Sequence, residues 1–296
     1  MAPPTLPGKG VRAGAPFEFP QGERMGYGGG KGALDGPRRG TASGKAADSF
    51  VVLLHGLSSN GAAMMGLADD LAEALPRTAF YAPNAPFQYD AANDPKSNRP
   101  PDFDATGCYM WYNRYSERTR IEGLYAIAEP INAFIAECAR ELGVEESRGA
   151  VVGHSQGCIV GLNVVPRRST PLAALVAHSG YLFSPDSLAQ RKQQRQRFFA
   201  EAASKTPTCG ISGIEDPAQA WESMVESMTA YDEAGIHTEL HVIGGMGHWV
   251  TPRSTEIMQG FLREQLGVGA SFPLSREYRF DSGGGGAVPP PPPTAQ

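Results

Sequence analysis

Gly153-His154-Ser155-Gln156-Gly157 sets a serine in the pattern G-x-S-x-G, between the short apolar run Gly149 to Val152 and the apolar stretch Cys158 to Val165. That context predicts a strand, a sharp turn and a helix, the arrangement of a nucleophile elbow. The turn strains the backbone of Ser155, and the small glycines on either side make the strain tolerable. Its hydroxyl then projects above the end of a sheet, beside the unpaired N–H groups of the next helix's first turn. Such donors suit an oxyanion that develops at an attacked carbonyl. The pentapeptide alone is common in proteins without this chemistry; the flanking strand and helix patterns single it out.

A serine hydroxyl is a weak nucleophile at neutral pH, so it needs a base and the base needs an orienting acid. In this strand-turn-helix setting the acid should precede the histidine along the chain. The sequence has six histidines. His237 and His241 alternate with Thr238, Leu240 and Val242 and read as the solvent-facing side of a half-buried strand. His178 reads as a polar strand end, and His55 and His154 lie inside other motifs. His248 remains, in Gly244-Gly245-Met246-Gly247-His248, a loop between a strand and the last helix from which a side chain can swing over Ser155.

Asp216, in Gly213-Ile214-Glu215-Asp216-Pro217, follows the preceding strand and is the candidate acid. Glu215 is its rival, because one residue of register decides which carboxylate faces His248. The alternative duty for Asp216 is to cap the helix that starts near Ala218. Two backbone N–H groups are expected to hold the oxyanion. One belongs to Gln156. The other belongs to Leu57, in the loop His55-Gly56-Leu57-Ser58-Ser59-Asn60-Gly61, where Gly56 lets the backbone turn toward the serine. A plain Gly/Ser/Asn turn is the alternative reading of that loop.

The elements that must position these residues alternate along the chain. Phe50 to Leu54 reads as a buried strand, and Met65, Leu67, Ala68, Leu71, Ala72 and Leu75 recur at helical spacing until Pro76. Thr78 to Ala82 is a second strand. Ile121 to Leu142 carries a long helical stripe, kinked or broken at Pro130. The elbow strand follows, then strands at Leu172 to Ala177 and Thr208 to Ser212. Trp221 to Tyr231 is a helix, Thr238 to Val242 a strand, and Ile257 to Leu266 a final helix capped by Gly267. Such β-α alternation predicts an α/β protein: a mostly parallel central sheet with helices on both faces.

Composition sets the limits. With 296 residues, 41% hydrophobic and 19% charged, the chain can bury one sizeable core. A formal net charge of -5 argues against a general nucleic-acid binder. The first residues hold no apolar signal-like run, and no run reaches membrane-spanning length. Cys108, Cys138, Cys158 and Cys209 are widely spaced, which favours reduced, core-packing thiols in a cytoplasmic protein over a disulfide framework or a metal site. Residues 1–35 and 269–296 are rich in Gly and Pro, including Gly283 to Gly286 and Pro289 to Pro293, and read as disordered extensions of a domain at 36–268. Gly36 to Ser43 could add an edge strand. The proline-rich tail has the composition of an aromatic-groove ligand, although a solvated tail is the plainer reading.

Leu54-His55-Gly56-Leu57, Pro83-Asn84-Ala85-Pro86, Gly153-His154-Ser155-Gln156-Gly157, Gly213-Ile214-Glu215-Asp216-Pro217 and Gly247-His248 occur in an order that resembles the phospholipase/carboxylesterase family of α/β-hydrolases, which includes acyl-protein thioesterases. The resemblance spans about residues 36 to 267. It implies an α/β-hydrolase fold, a triad of Ser155, Asp216 and His248, and oxyanion donors at Leu57 and Gln156. It also implies that Trp111, in Tyr109-Met110-Trp111-Tyr112, lies near an acyl pocket; core or lid packing is the alternative for that cluster. The sequence departs from the family where Ser212-Gly213 stands in place of His-Gly, and where Ala218-Gln219-Ala220-Trp221 replaces a valine-rich continuation. The stretch from Tyr181 to Thr206, with Arg191, Lys192, Arg195, Arg197, Phe198 and Phe199, is longer than usual, and reads as a surface helix or a lid.

The function expected is hydrolysis of a small-molecule carboxylic ester or thioester through an acyl-enzyme, with no cofactor and no metal. The oligomeric state is left open, a homodimer among the options. The rivals are peptide or lactone cleavage on the same fold, a non-catalytic ligand-binding protein, and a scaffold whose Gly- and Pro-rich ends carry the function.

Overall fold

A computed structural model of the protein describes residues 34–94, 97, 99–100, 102–114, 116–182, 195, 198–268 and 278–281. Its strands are β1 (Arg38–Arg39), β2 (Ser49–Leu54), β3 (Thr78–Tyr81), β4 (Phe87–Gln88), β5 (Tyr109–Met110), β6 (Gly149–His154), β7 (Ala174–His178), β8 (Thr208–Gly213), β9 (Thr238–Ile243) and β10 (Tyr278–Asp281). The helices are α1 (Met65–Ala74), α2 (Glu117–Ala126), α3 (Ala128–Leu142), α4 (Gln156–Val164), α5 (Trp221–Glu233) and α6 (Pro252–Gln265). Eight strands form one sheet in the order β1-β3-β2-β6-β7-β8-β9-β10. β1 is antiparallel to β3 and every other pairing in that sheet is parallel. β4 and β5 make a separate antiparallel pair.

The central strands are apolar on both faces, as a parallel sheet covered by helices requires. In β2, Phe50, Val52 and Leu54 enter one core with Ile131, Phe134 and Ile135 of α3, Ile159 of α4 and Met224 of α5. Val51 and Leu53 enter the other core with Leu67 and Leu71 of α1 and Met258 and Leu262 of α6. Two cores back to back define the three-layer architecture. Along the sheet, β3 lies on one side of β2 and β6 on the other. The chain therefore reverses direction beside β2, and in such sheets the crevice at the strands' carboxyl ends is where ligands bind.

Three details differ from what the residue patterns predict. The long helical stripe breaks at Ile127, between α2 and α3, three residues before Pro130. Proline lacks an N–H and its ring crowds the carbonyl four residues earlier, so the discontinuity falls upstream of it. Second, β9 is not a half-solvated edge strand. His241 is buried, and β10 pairs with β9 along its outer side. Leu240 and Val242 face the α5 layer while Ile243 joins the α6 core, so both faces of β9 are covered. Third, Tyr278–Asp281 lies within the stretch expected to be a disordered tail, yet it adds a strand. An open strand edge leaves a row of backbone groups to be paired, and this segment pairs them. The glycine and proline runs of the two ends lie outside the described residues.

Candidate active site

The elbow forms where β6 passes into α4. Ser155 has φ 54° and ψ -116°, a left-handed conformation rarely adopted by a residue with a side chain. It is held there by its own N–H donating to the His178 carbonyl (3.0 Å) and by its carbonyl accepting from Ile159 N (3.1 Å). A Cβ on Gly157 would lie 2.1 Å from the Leu54 carbonyl oxygen, and one on Gly153 would lie 2.5 Å from that of Gly157. The two glycines thus serve close backbone packing at the turn. The strain, about 1–3 kcal/mol for such a residue, falls on Ser155 itself.

Ser155, His248 and Asp216 meet at the carboxyl ends of β6, β9 and β8. The Ser155 hydroxyl lies 2.9 Å from Nε2 of His248, and Nδ1 of His248 lies 2.8 Å from Oδ2 of Asp216. An ionised carboxylate accepts only, so Nδ1 carries the proton and Nε2 is left to accept from the serine. The Asp216 side chain is fully buried. Its second oxygen, Oδ1, accepts from the backbone N–H groups of Ala218 (2.8 Å) and Gln219 (2.9 Å). The carboxylate thus faces His248 with one oxygen and braces its own turn with the other; it does not cap the helix. The turn it braces precedes α5, whose own N-cap is Ala220. Glu215 is exposed, while its backbone N–H donates to the Met246 carbonyl (3.1 Å). That bond ties the acid loop to the histidine loop.

The loop carrying His248 is fixed at both ends. Downstream, α6 starts with a reciprocal cap: Thr251 Oγ1 accepts from Ser254 N (3.2 Å) and Ser254 Oγ accepts from Thr251 N (2.8 Å). At the histidine itself, His154 Nε2 donates to the His248 carbonyl (2.9 Å). Burial pushes the His154 imidazole down to about 4, against a smaller raising effect of that bond, so the ring is neutral. His178 is wholly buried beside it (ring centroids 5.4 Å) and is likewise driven well below the ordinary histidine range by burial.

On the opposite side of Ser155 lies the loop after β2. A Cβ on Gly56 would be 3.2 Å from that of Ser155, which puts the Gly56-Leu57 backbone against the serine. Gln156 opens α4, so its N–H belongs to the first turn, where helix donors have no intrahelical partner. Its side chain clamps the segment after β5: Oε1 accepts from Trp111 N (2.8 Å) and Nε2 donates to the Tyr112 carbonyl (2.9 Å). Trp111 then donates from Nε1 to the His55 carbonyl (2.8 Å), and its ring packs on the His55 ring. His55 donates from Nδ1 to the Gly56 carbonyl (2.7 Å) and accepts from Ala85 N at Nε2 (3.0 Å). Burial lowers its imidazole to about 4 as well. Asn84 completes the brace by accepting from Gly61 N (2.9 Å).

Trp111 has no exposed surface, which accords with the packing alternative for its cluster. Its indole N–H needed an acceptor when buried, and the His55 carbonyl supplies one. The bracing roles of His55, Asn84, His154 and the Gln156 side chain are not evident in the sequence. Their signal is present there only as polar residues without an assigned duty inside the H-G-L, P-N-A-P and G-H-S-Q-G segments.

Of the 181–206 stretch, Arg191, Lys192 and Arg197 lie outside the described residues. Arg195 pairs with Glu233 on α5, Phe198 is buried against Tyr231 (5.2 Å between rings), and Phe199 is partly exposed. The four cysteines are free thiols, Cys108 half-buried and the others buried. Among the described residues, Cys209, Glu239 and His241 bring potential metal-ligand atoms within 4.8 Å of one another. This group lies farther back along β8 and β9 than Asp216 and His248, and Glu239 already approaches His241 Nε2 (3.5 Å). Among the described residues no helix is long and apolar enough to cross a membrane.

A doubly covered, mostly parallel sheet with a strained serine between β6 and α4 defines an α/β-hydrolase. The chain belongs to the phospholipase/carboxylesterase family, whose sequence model matches residues 41–266. Among solved structures, esterase PE8 is 28% identical with a TM-score of 0.67, and the match covers 78% of this chain and 99% of that one. SOBER1 from Arabidopsis thaliana is 20% identical with a TM-score of 0.57 (74% of this chain, 99% of that one). The Bacillus cereus carboxylesterase is 14% identical with a TM-score of 0.58 (78% and 94%). The last two share the fold. Family membership and the PE8 likeness support a hydrolase of the carboxylesterase or phospholipase type.

Proposed function

We propose that this protein is a serine hydrolase that cleaves small carboxylic esters or thioesters through an acyl-enzyme. The proposal rests on one observation, the line of two hydrogen bonds from Ser155 Oγ to His248 Nε2 (2.9 Å) and from His248 Nδ1 to Asp216 Oδ2 (2.8 Å). His248 takes the proton of Ser155 as Oγ bonds to the acyl carbon. Asp216 holds the tautomer that makes this possible and stabilises the imidazolium that results. The negative charge moves to the carbonyl oxygen, where the N–H groups of Leu57 and Gln156 receive it. Collapse of the tetrahedral intermediate breaks the bond to the leaving oxygen or sulfur, which takes the proton from His248 Nε2. Water then gives a proton to His248 Nε2 and bonds to the acyl carbon; the bond to Oγ breaks, Oγ takes that proton back, and the acid leaves.

The strained turn contributes by orientation. The turn between β6 and α4 fixes the backbone of Ser155 with Oγ already within hydrogen-bond reach of His248 Nε2. Ser155→Ala removes the nucleophile without adding an atom to the turn. It is expected to abolish labelling by a fluorophosphonate and to lower ester turnover by at least about 10⁴-fold. Labelling or hydrolysis that persists in the purified variant sinks the assignment.

A further inference from the structure

The described residues leave three large hydrophobic side chains exposed: Phe199, Ile214 and Trp249. Two of them flank the candidate site. Ile214 precedes Asp216 by two residues, and Trp249 follows His248 directly. Trp249 is 74% exposed, and its indole touches two rings of the candidate site. One face stacks on the His154 ring (centroids 5.9 Å, 22° between planes), and it meets the His248 ring edge to face (5.7 Å, 73°). His154 in turn is pinned by its bond to the His248 carbonyl. The indole thus stands against the His154 and His248 rings and presents most of its surface outward.

We propose that Trp249 forms the wall of a leaving-group subsite that favours esters of aromatic or planar apolar alcohols and thiols. The inference rests on the catalytic reading of Ser155 and His248. The proton held on His248 Nε2 must reach the leaving oxygen or sulfur, so that atom lies within hydrogen-bond reach of the imidazole when the bond breaks. The carbonyl oxygen points the other way, toward Leu57 and Gln156. The group attached to the leaving atom consequently departs past the rings that surround His248, and Trp249 is the exposed one. An offset or edge-to-face aromatic contact there strengthens capture of an aryl leaving group and does nothing for a methyl or ethyl group. Once the leaving group has gone, the acyl-enzyme no longer touches this wall, so the effect belongs to acylation.

The test uses two acetate esters with one acyl group, phenyl and ethyl acetate, and compares the full-length protein with Trp249→Ala and Trp249→Phe. The readout is the ratio of kcat/KM for phenyl over ethyl ester, which reports acylation. Trp249→Ala is expected to lower that ratio about 3- to 10-fold, the range of an aromatic contact, and Trp249→Phe to restore most of it. A ratio that stays within about twofold of wild type in Trp249→Ala, below the range of one aromatic contact, overturns the subsite. So does an equal slowing of acylation and of acyl-enzyme hydrolysis in single-turnover runs, which would make Trp249 a support for His248. Ser155→Ala separates the two readings. A variant that still hydrolyses both esters overturns the catalytic assignment, whereas an inert one upholds it and the ratio then decides on Trp249 alone.

Discussion

His154 donates a hydrogen bond from Nε2 to the backbone carbonyl of His248 at 2.9 Å. The residue just before the proposed nucleophile thus holds the loop that carries the proposed base. Because His154 ends β6 and is buried, any shift of the elbow is passed to that loop through one short contact.

Removing this contact while keeping a ring in place tests its role. In His154→Phe the His248 carbonyl loses its donor, and an orphaned, partly buried acceptor costs about 1–3 kcal/mol. The expected outcome is a kcat lowered about 10- to 100-fold with a much smaller change in KM, since a small misplacement of a catalytic group acts on the chemical step. Steady-state kinetics and a urea melt on the same sample check it. A change in KM alone would show that His154 shapes binding and does not place the base.

Asp216 and Glu215 can be separated by isosteric substitutions. Asp216→Asn can keep Oδ1 on the N–H groups of Ala218 and Gln219, but it presents an amide N–H to Nδ1 of His248. The imidazole then takes the wrong tautomer, and kcat is expected to fall about 10⁴-fold with little loss of stability. Glu215→Gln is expected to leave kcat within a few-fold, since that side chain is exposed. The reverse order of effects would reassign the acid.

Stability should fall on the acid side of neutrality. His55 and His154 are held by burial at about 4, against an ordinary value of 6.5. Below pH 6.5 the unfolded chain binds protons that the folded chain cannot, so stability decreases as pH falls from 6.5 to about 4. It levels off once the folded rings also protonate. Each ring contributes on the order of 3 kcal/mol over that window. Urea midpoints measured from about pH 7.5 to 4, which brackets the ordinary and shifted values, check the slope, and His154→Phe should make it shallower. A midpoint that is flat across the window contradicts the burial of these rings as neutral species.

Much of the architecture is legible in residue patterns because each layer needs its own period. β2 and β6 are read directly, since strands buried on both faces are continuous apolar runs. α3 is read from the recurrence of Ile131, Phe134, Ile135 and Cys138. β9 is misread because an alternation of polar and apolar residues looks half-solvated. On the polar side His241 is in fact buried, and the open edge is paired by β10, a segment that follows the last helix. The place of Trp111 stays open between two readings for a similar reason. An aromatic cluster carries no mark that says whether it lines a pocket or braces a loop, and its partner, the His55 carbonyl, is 56 residues away.

Residue order was enough to set the succession of strands and helices, the turn that strains Ser155, and a short set of polar residues able to attack, accept a proton or orient a base. These are local matters: periodicity, glycine at close approaches, and the chemistry of single side chains. Which carboxylate reaches His248 depended on the folded chain, because Glu215 and Asp216 differ by one step of backbone direction. Folding also made His154 and the side chains of Gln156 and Trp111 into contacts that hold the two loops beside Ser155. Those contacts join strands that are distant in the chain, and a distance of that kind has no counterpart in residue order.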